Sequence, residues 1–189
     1  KNVCSQCRAC ELAKTRTTTV FSDGSPDAKI MLIGEAPGAD EDASGIPFVG
    51  RAGQLLNEFL QEAGIDRQKD LYICNTIKCR PPQNRVPFNE EKLACQAYLT
   101  GQISIIRPKI ILLCGSTAAQ TFIKQDFKIS MIRGKWLNIF DNIEVMAIFH
   151  PSYLLRNHSM EQGSPRWLMQ KDLENVRKKL DEVLNSAQP

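Results

Sequence analysis

The sequence predicts an α/β fold: a single domain, residues 1–189, built on a central, mostly parallel four-stranded sheet flanked by helices. Short apolar runs bounded by turn residues alternate with segments of helical periodicity, a pattern typical of parallel sheets with helical crossovers. The length suffices for one sizeable core, and neither an internal repeat nor a linker divides the chain.

The predicted strands are apolar runs bounded by turn residues. They cover residues 29–33, 71–75, 109–114, 136–140 and 144–149. The last two could pair as a hairpin through Asp141 and Asn142. Helical periodicity between the strands predicts helices over residues 52–63, 89–106, 116–122 and 164–184. Pro165 suits the first turn of the last helix.

In such a fold, ligands bind beyond the carboxyl ends of the strands, so the loops that follow Ile33, Asn75 and Cys114 should share one rim with His150. The first loop, residues 34–53, holds several carboxylates between Pro and Gly residues and leads into a helix. Carboxylates on a rigid turn at a strand end are placed for chemistry rather than for packing. The N–H groups of the following helix point to the same spot.

Composition narrows the function classes. Hydrophobic residues make up 42% of the chain and charged residues 24%, ordinary globular usage, and no apolar run approaches the roughly 20 residues that span a bilayer. Without a visible signal peptide, we expect a soluble, cytoplasmic protein with no membrane partner. The net charge of +3 neither requires nor excludes nucleic acid. The absence of GxGxxG and P-loop motifs argues against a nucleotide-binding enzyme.

The seven cysteines of an intracellular chain indicate metal or cluster ligation rather than disulfides. Cys74 and Cys114 lie in apolar runs and are interpreted as core residues. The remaining five are Cys4, Cys7, Cys10, Cys79 and Cys95. Four thiolates could hold zinc or a four-iron cluster, and spacing alone decides neither the metal nor the spare cysteine. Several unrelated buried thiols are the alternative.

Two strand ends carry candidate functional side chains. Asn75 could pair with a base edge through one donor and one acceptor, or simply form a turn. His150 opens the segment HPSYLLRN, in which Ser152 could donate to a phosphate. Leu154 and Leu155 lie beside Arg156, an arrangement that suits a wedge into a base stack or, equally, the apolar face of a helix.

Taken together, these motifs resemble the family 4 uracil-DNA glycosylases, the iron–sulfur branch of that superfamily. The resemblance covers nearly the whole chain. In order, the motifs are GEAPGADED, GIPFVGRAGQLLN, NTIKCRPPQNRVP, IRGKW, HPSYLLRN and GSPRWL. Each motif is weak by itself, but their order and spacing are highly specific.

The resemblance implies a three-layer α/β/α fold. It implies a monomeric protein that acts on single- or double-stranded DNA containing uracil. It also implies a structural 4Fe–4S cluster. In the family, the second ligand of the N-terminal pair is followed by x-Leu and then by an Arg, which Cys10 fits with Leu12 and Arg16. The ligands implied are therefore Cys7, Cys10, Cys79 and Cys95, whereas Cys4 departs from the pattern.

The implied reaction is hydrolysis of the bond between uracil and deoxyribose, after the base is flipped out of the duplex. Uracil would be bound by Gly34, Ala36, Phe48, Asn75 and His150. DNA would be bound by Arg85, Ser152, Leu154, Arg156 and the turn at residues 50–53, with Leu154 as the wedge.

For catalysis, His150 would donate a hydrogen bond to the uracil oxyanion. Glu35 is the first candidate to position the attacking water. Glu41, which would crowd the C5 position of the base, is the second. Ala36 stands where the best-known branch of the superfamily has an Asp.

Two alternatives accompany this interpretation. The chain could be a non-catalytic iron–sulfur DNA-binding module on the same fold, although Glu35, Asn75 and His150 are all present. A relative that bonds covalently to DNA through a His-bearing insertion is disfavoured, because residues 39–53 contain neither the insertion nor a His.

Overall fold

The computed structural model describes residues 1–123 and 126–186, and within them the chain forms six strands and eight α-helices. The strands are β1 (Asp23–Gly24), β2 (Ile30–Gly34), β3 (Leu71–Asn75), β4 (Ile110–Cys114), β5 (Trp136–Phe140) and β6 (Ile143–Ile148). The helices are α1 (Asn2–Ser5), α2 (Ala39–Ser44), α3 (Arg51–Glu62), α4 (Asn89–Ile106), α5 (Ser116–Gln120), α6 (Ile129–Ile132), α7 (Pro151–Leu154) and α8 (Pro165–Ser186).

The six strands form one sheet in the order β1-β3-β2-β4-β6-β5. The central strands β3, β2, β4 and β6 are parallel, which confirms the predicted four-stranded core. Strand β5 pairs with β6 as the predicted antiparallel hairpin, and β1 adds an antiparallel edge strand that the sequence did not predict. The register places Gly34 of β2 beside Asn75 of β3, so two predicted site residues are neighbours at the carboxyl edge.

Apolar side chains cover both faces of the sheet. Strands β2, β3 and β4 are buried throughout, as expected for parallel strands between helical layers. On one face, Leu56 and Phe59 of α3 pack with Leu173 of α8 against the sheet. On the other face, Leu99 of α4 contributes to a second cluster. None of the helices in the described ranges is long and apolar enough to cross a membrane.

A buried ion pair fastens α8 to the turn that precedes β5. Arg133, in the IRGKW motif, donates from Nε to Oδ2 of Asp172 at 2.6 Å and also pairs with Oδ1. The Asp172 side chain is almost completely buried. The next residue, Gly134, has φ 69°, and a Cβ there would lie 2.3 Å from Oδ1 of Asp172. The backbone therefore approaches the carboxylate closely, and the pair holds α8 in place.

We predict that Asp172→Ala lowers the free energy of unfolding by about 3–5 kcal/mol, because it leaves the Arg133 guanidinium buried without its carboxylate. Urea unfolding measures the change. The matched control is Asp181→Ala on the same helix, which removes an exposed pair with Arg177 and should have little effect. Equal losses in the two variants would contradict the role assigned to the buried pair.

Candidate active site

The loops that follow the four parallel strands surround one cavity of about 490 Å³. Of the predicted site residues, those that line it are Glu35, Ala36, Glu41, Phe48, Asn75, Arg85, His150 and Ser152. Gly34 lies directly behind Asn75 and Phe48. The structure therefore brings the predicted rim together, whereas Leu154 and Arg156 do not line the cavity.

Asn75 presents an unpaired amide to this cavity. Its side chain is only 2% exposed, and Nδ2 has no hydrogen-bond partner within the described residues. A buried donor without a partner destabilises the fold by about 1–3 kcal/mol, so such groups point to a ligand. A Cβ on Gly34 would lie 2.4 Å from Oδ1 of Asn75 and 2.5 Å from Cζ of Phe48. Glycine is thus the only residue type at position 34 that leaves the Asn75 amide and the Phe48 ring in place.

Phe48 forms an aromatic wall beside His150. Its backbone has φ 53°, a left-handed conformation that bulky residues rarely adopt. Arg67 holds this turn by donating to the Pro47 carbonyl at 2.6 Å and to the Phe48 carbonyl at 3.3 Å. At Gly53, a Cβ would lie 2.0 Å from the Phe48 carbonyl oxygen. The ring centroid is 6.0 Å from that of His150, with 35° between the planes.

The two candidate carboxylates differ in their partners. Glu41 accepts three backbone N–H bonds, from Gly38 at 3.0 Å and from Val49 and Gly50 at 2.9 Å each. The Glu35 carboxylate makes no hydrogen bond or ion pair with the described residues, although the Glu35 backbone carbonyl accepts from Thr76 at 2.6 Å. Glu41 therefore shapes the loop, and Glu35 presents a half-buried carboxylate with free lone pairs to the cavity.

The hydrogen bonds of His150 determine its tautomer. The backbone N–H of Ser152 donates to Nδ1 at 3.2 Å, so Nδ1 has no proton. Burial lowers the pKa of His150 to about 4, and the nearby Glu41 carboxylate only partly opposes this effect. At neutral pH the imidazole is therefore uncharged and has its proton on Nε2. This arrangement makes it a hydrogen-bond donor to an anion in the cavity.

The turn after His150 corrects one prediction. Leu154 was expected to be an exposed wedge, but its side chain is 0% exposed and packs in the main core beside α3. It points inward because α7 is a single turn that buries one apolar face. Tyr153 is the large exposed side chain of the turn, at 40%, while Ser152 and Arg156 are also exposed.

Arg85 lines the cavity but is not a free cation. Its guanidinium donates to both carboxylate oxygens of Glu91, at 2.8 and 2.6 Å. It also covers the ring of Phe88, 3.7 Å from the centroid. The predicted phosphate contact would have to compete with the Glu91 carboxylate.

A second, smaller cavity gathers the five candidate cysteines. Cys4, Cys7, Cys10, Cys79 and Cys95 all line it. Arg16 donates to Sγ of Cys79 at 3.1 Å and to the Cys7 carbonyl at 2.7 Å. Burial raises the pKa of Cys95 to about 12, and Cys74 and Cys114 are core residues as predicted.

Lys78 is the most unusual residue beside the cysteines. The sequence did not indicate it as a residue of this site. Its side chain is 0% exposed, lines the cysteine cavity and donates to the Asn75 carbonyl at 2.6 Å. Across residues 1–123 and 126–186, no carboxylate lies within ion-pair distance of its ammonium. Ser116 and Thr117 also line the first, larger cavity, and their position after Gly115 on the predicted rim could have indicated them.

The model of the uracil DNA glycosylase superfamily matches residues 21–180. The chain belongs to this superfamily. It is 45% identical over 173 residues to the type-4 uracil-DNA glycosylase of Thermotoga maritima, covering 91% of this chain and 88% of the relative. To the type-4 enzyme of Archaeoglobus fulgidus it is 40% identical over 190 residues, covering 97% and 90%. A DNA polymerase of Bacillus phage SP01 is 31% identical over 70% of this chain and 14% of its own length.

A neutral histidine, an unpaired Asn amide and an aromatic ring line the same cavity. The GEAPG and HPSYLLRN motifs, distant in sequence, meet at its rim. The fold of the superfamily and the α/β architecture predicted from the sequence coincide.

We predict that His150 remains uncharged well below the ordinary histidine pKa of 6.5 and is half-protonated near pH 4. Because folding lowers this pKa, the unfolded chain binds the proton first. The contribution to stability is therefore complete above pH 6.5 and is lost as the pH falls toward 4. Imidazole C–H resonances followed by NMR give the titration. The variant His158→Asn lacks the His158 resonances and so assigns the remaining ones to His150. Half-protonation of His150 near pH 6.5 would contradict the assignment.

Proposed function

We propose that the protein is a DNA-repair glycosylase that hydrolyses the N-glycosidic bond of uracil in DNA, giving free uracil and an abasic site. The observation that carries this proposal is the buried, unpaired Asn75 amide in the cavity of about 490 Å³ at the strand ends, hereafter the base cavity. Membership of the superfamily and the type-4 relatives support it. The test is release of uracil from an oligonucleotide that contains one uracil.

Asn75 would distinguish uracil from cytosine. Its Nδ2 can donate to the carbonyl at position 4 of uracil, while Oδ1 accepts from N3–H. Cytosine has an amino group at position 4, which would leave two donors facing each other. Phe48 would stack on the base, with Gly34 and Ala36 beside it. The loop that Glu41 closes would crowd the C5 position, where thymine has a methyl group.

Bond cleavage places negative charge on uracil and positive charge on the sugar. The neutral His150 would donate from Nε2 to the uracil oxyanion, a preorganised contact that stabilises the transition state. An oxocarbenium-like sugar is stabilised by nearby anions, and water must then attack it. Glu35 is suited to position that water, because its carboxylate has no other partner within the described residues. Glu41 is not, because its oxygens already accept three N–H bonds.

DNA would approach along the turn that begins at His150. Arg156 is exposed and can contact a phosphate. Ser152 is also exposed, but its hydroxyl donates to Nδ1 of His150 at 2.8 Å, so a phosphate would have to compete for that proton. Tyr153, rather than the buried Leu154, is exposed enough to enter the space that the flipped nucleotide leaves. Arg85 is half-buried and its charge is already balanced by Glu91, so it would attract a phosphate only weakly.

The cysteines would hold a 4Fe–4S cluster. In the parts of the chain that the structure describes, no three His, Cys, Asp or Glu side chains are close enough to hold one metal ion. Zinc needs its thiolates at about 2.3 Å from a common centre. A four-iron cluster binds each thiolate at a separate iron, so its four cysteines need not converge on one metal ion. The five cysteines that line one cavity would supply the four thiolates. When bound, the cluster would fasten the N-terminal segment to the loop before α4.

The buried Lys78 is evidence that the cysteine cavity binds an anionic group. A buried ammonium without an anionic partner is strongly unfavourable. A cluster held by four thiolates would supply negative charge there, with Arg16 as a second cation nearby. The ligands would be Cys7, Cys10, Cys79 and Cys95. The contact of Arg16 with Sγ of Cys79 supports Cys79 as one of them, and the resemblance selects Cys10 over Cys4, which lines the same cavity.

A second candidate function is a non-catalytic DNA-binding module. The partial match to a phage DNA polymerase favours it, since such a domain could serve DNA binding alone. Glu35, Asn75 and His150 together in one cavity favour catalysis instead. Binding of uracil-containing DNA without release of uracil would identify the module.

We predict that Glu35→Gln lowers kcat for uracil release about 10²- to 10⁴-fold with little change in melting temperature, because it removes the charge that orients water. Glu41→Gln should lower both the activity and the melting temperature, since three N–H groups lose a charged acceptor. Single-turnover assays and thermal melts separate the two variants. If Glu35→Gln cleaves at the wild-type rate, the role proposed for Glu35 is wrong.

We also predict that anaerobically purified protein contains iron and sulfide and absorbs visible light. Cys7→Ser and Cys10→Ser should each lose iron and absorbance, because each removes one of four ligands. Cys4→Ser is the matched control, buried in the same cavity and expected to keep the cluster. Loss of iron in Cys4→Ser, with retention in either other variant, would reassign the ligands.

A further inference from the structure

Phe88 is a large aromatic side chain that the fold leaves in solvent. It is 60% exposed and stands at the N-cap of α4, immediately after the loop that follows β3. Burial in the core therefore does not explain an aromatic side chain at this position. An exposed aromatic ring next to a functional cavity suggests a contact surface.

The ring is held in one orientation by a closed set of contacts. The Arg85 guanidinium covers one of its faces, at 3.7 Å from the ring centroid. Glu91, whose side chain is almost fully buried, binds the same guanidinium with both oxygens and accepts the Phe88 backbone N–H at 2.7 Å. Each partner fixes the next, so little side-chain entropy remains to be lost when the ring is bound.

The position of the ring links it to the base cavity. Arg85 and Asn84 line that cavity, and Arg85 also covers the ring. With one face covered by a guanidinium and most of the side chain exposed, the other face is open to solvent. Because Glu91 balances the charge of Arg85, the pair is better suited to support a flat apolar surface than to attract a phosphate.

We propose that Phe88 is a stacking platform for a nucleobase adjacent to the uracil in the DNA strand. Every base has a π-face, so such a contact tolerates any sequence and suits single-stranded or unstacked DNA. Continuity with the base cavity favours DNA over a protein partner. The inference rests on the proposed function, since it assumes that a nucleotide occupies that cavity.

The experiment compares Phe88→Ala with wild type on a single-stranded oligonucleotide that contains one uracil. The KM for uracil release should rise about 5- to 100-fold, the range of one stacked base, while kcat stays constant. Phe88→Trp should restore the wild-type KM and show quenching of tryptophan fluorescence by the oligonucleotide. A purely structural role would instead lower the melting temperature and would not produce this split between KM and kcat.

Leu93→Ala is the matched control, because Leu93 is a 69% exposed apolar residue on the same helix. Fluorescence anisotropy with the same oligonucleotide measures affinity without turnover, so it tests Phe88 even if no uracil is released. In that case the proposed function fails by itself. Affinity and KM in Phe88→Ala equal to those in Leu93→Ala would overturn the role of Phe88.

Discussion

Three backbone N–H groups converge on one carboxylate, that of Glu41, and the shape of the base cavity depends on them. The bonds join Gly38, near the start of the loop after β2, to Val49 and Gly50 at its end. This closure places Phe48 against Gly34 and lets α3 begin at Arg51. Because a charged acceptor binds N–H groups more strongly than a neutral one, a single side chain can hold this wall.

Strand β3 connects the base cavity to the cysteine cavity through one short segment. Asn75 faces the first, while Lys78 and Cys79 line the second, and the Lys78 ammonium returns to the Asn75 carbonyl at 2.6 Å. A second connection is made by Asp42, which accepts the backbone N–H of Thr17 at 2.9 Å. A change in the charge of the cysteine cavity would therefore act through Lys78 on the backbone carbonyl of Asn75.

Periodicity and strand-end reasoning predicted the parallel core and the shared rim, because both depend on local apolar patterns. The resemblance, not the periodicity, implied Ala36, Phe48 and Arg85 as site residues. The two-residue strand β1 has no such pattern and was missed. The sequence also could not predict which face of α7 is buried. Tyr153 and Leu154 lie in one turn of HPSYLLRN, and only tertiary packing decides which of the two is buried. Likewise, Glu35 and Glu41 look equivalent in sequence. They differ because Glu41 accepts two N–H groups, those of Val49 and Gly50, from the far end of its loop, in addition to that of the nearby Gly38.

Phe48 is held in a left-handed backbone conformation before any ligand binds. The absence of a side chain at Gly53 leaves room for this turn, and Arg67 binds its carbonyl groups. The aromatic wall is already ordered before any base arrives, so the entropy of fixing that ring is lost during folding and not during binding. Binding should then carry a smaller entropic penalty, so the same contacts should give a higher affinity than in a site whose aromatic wall orders only with its ligand.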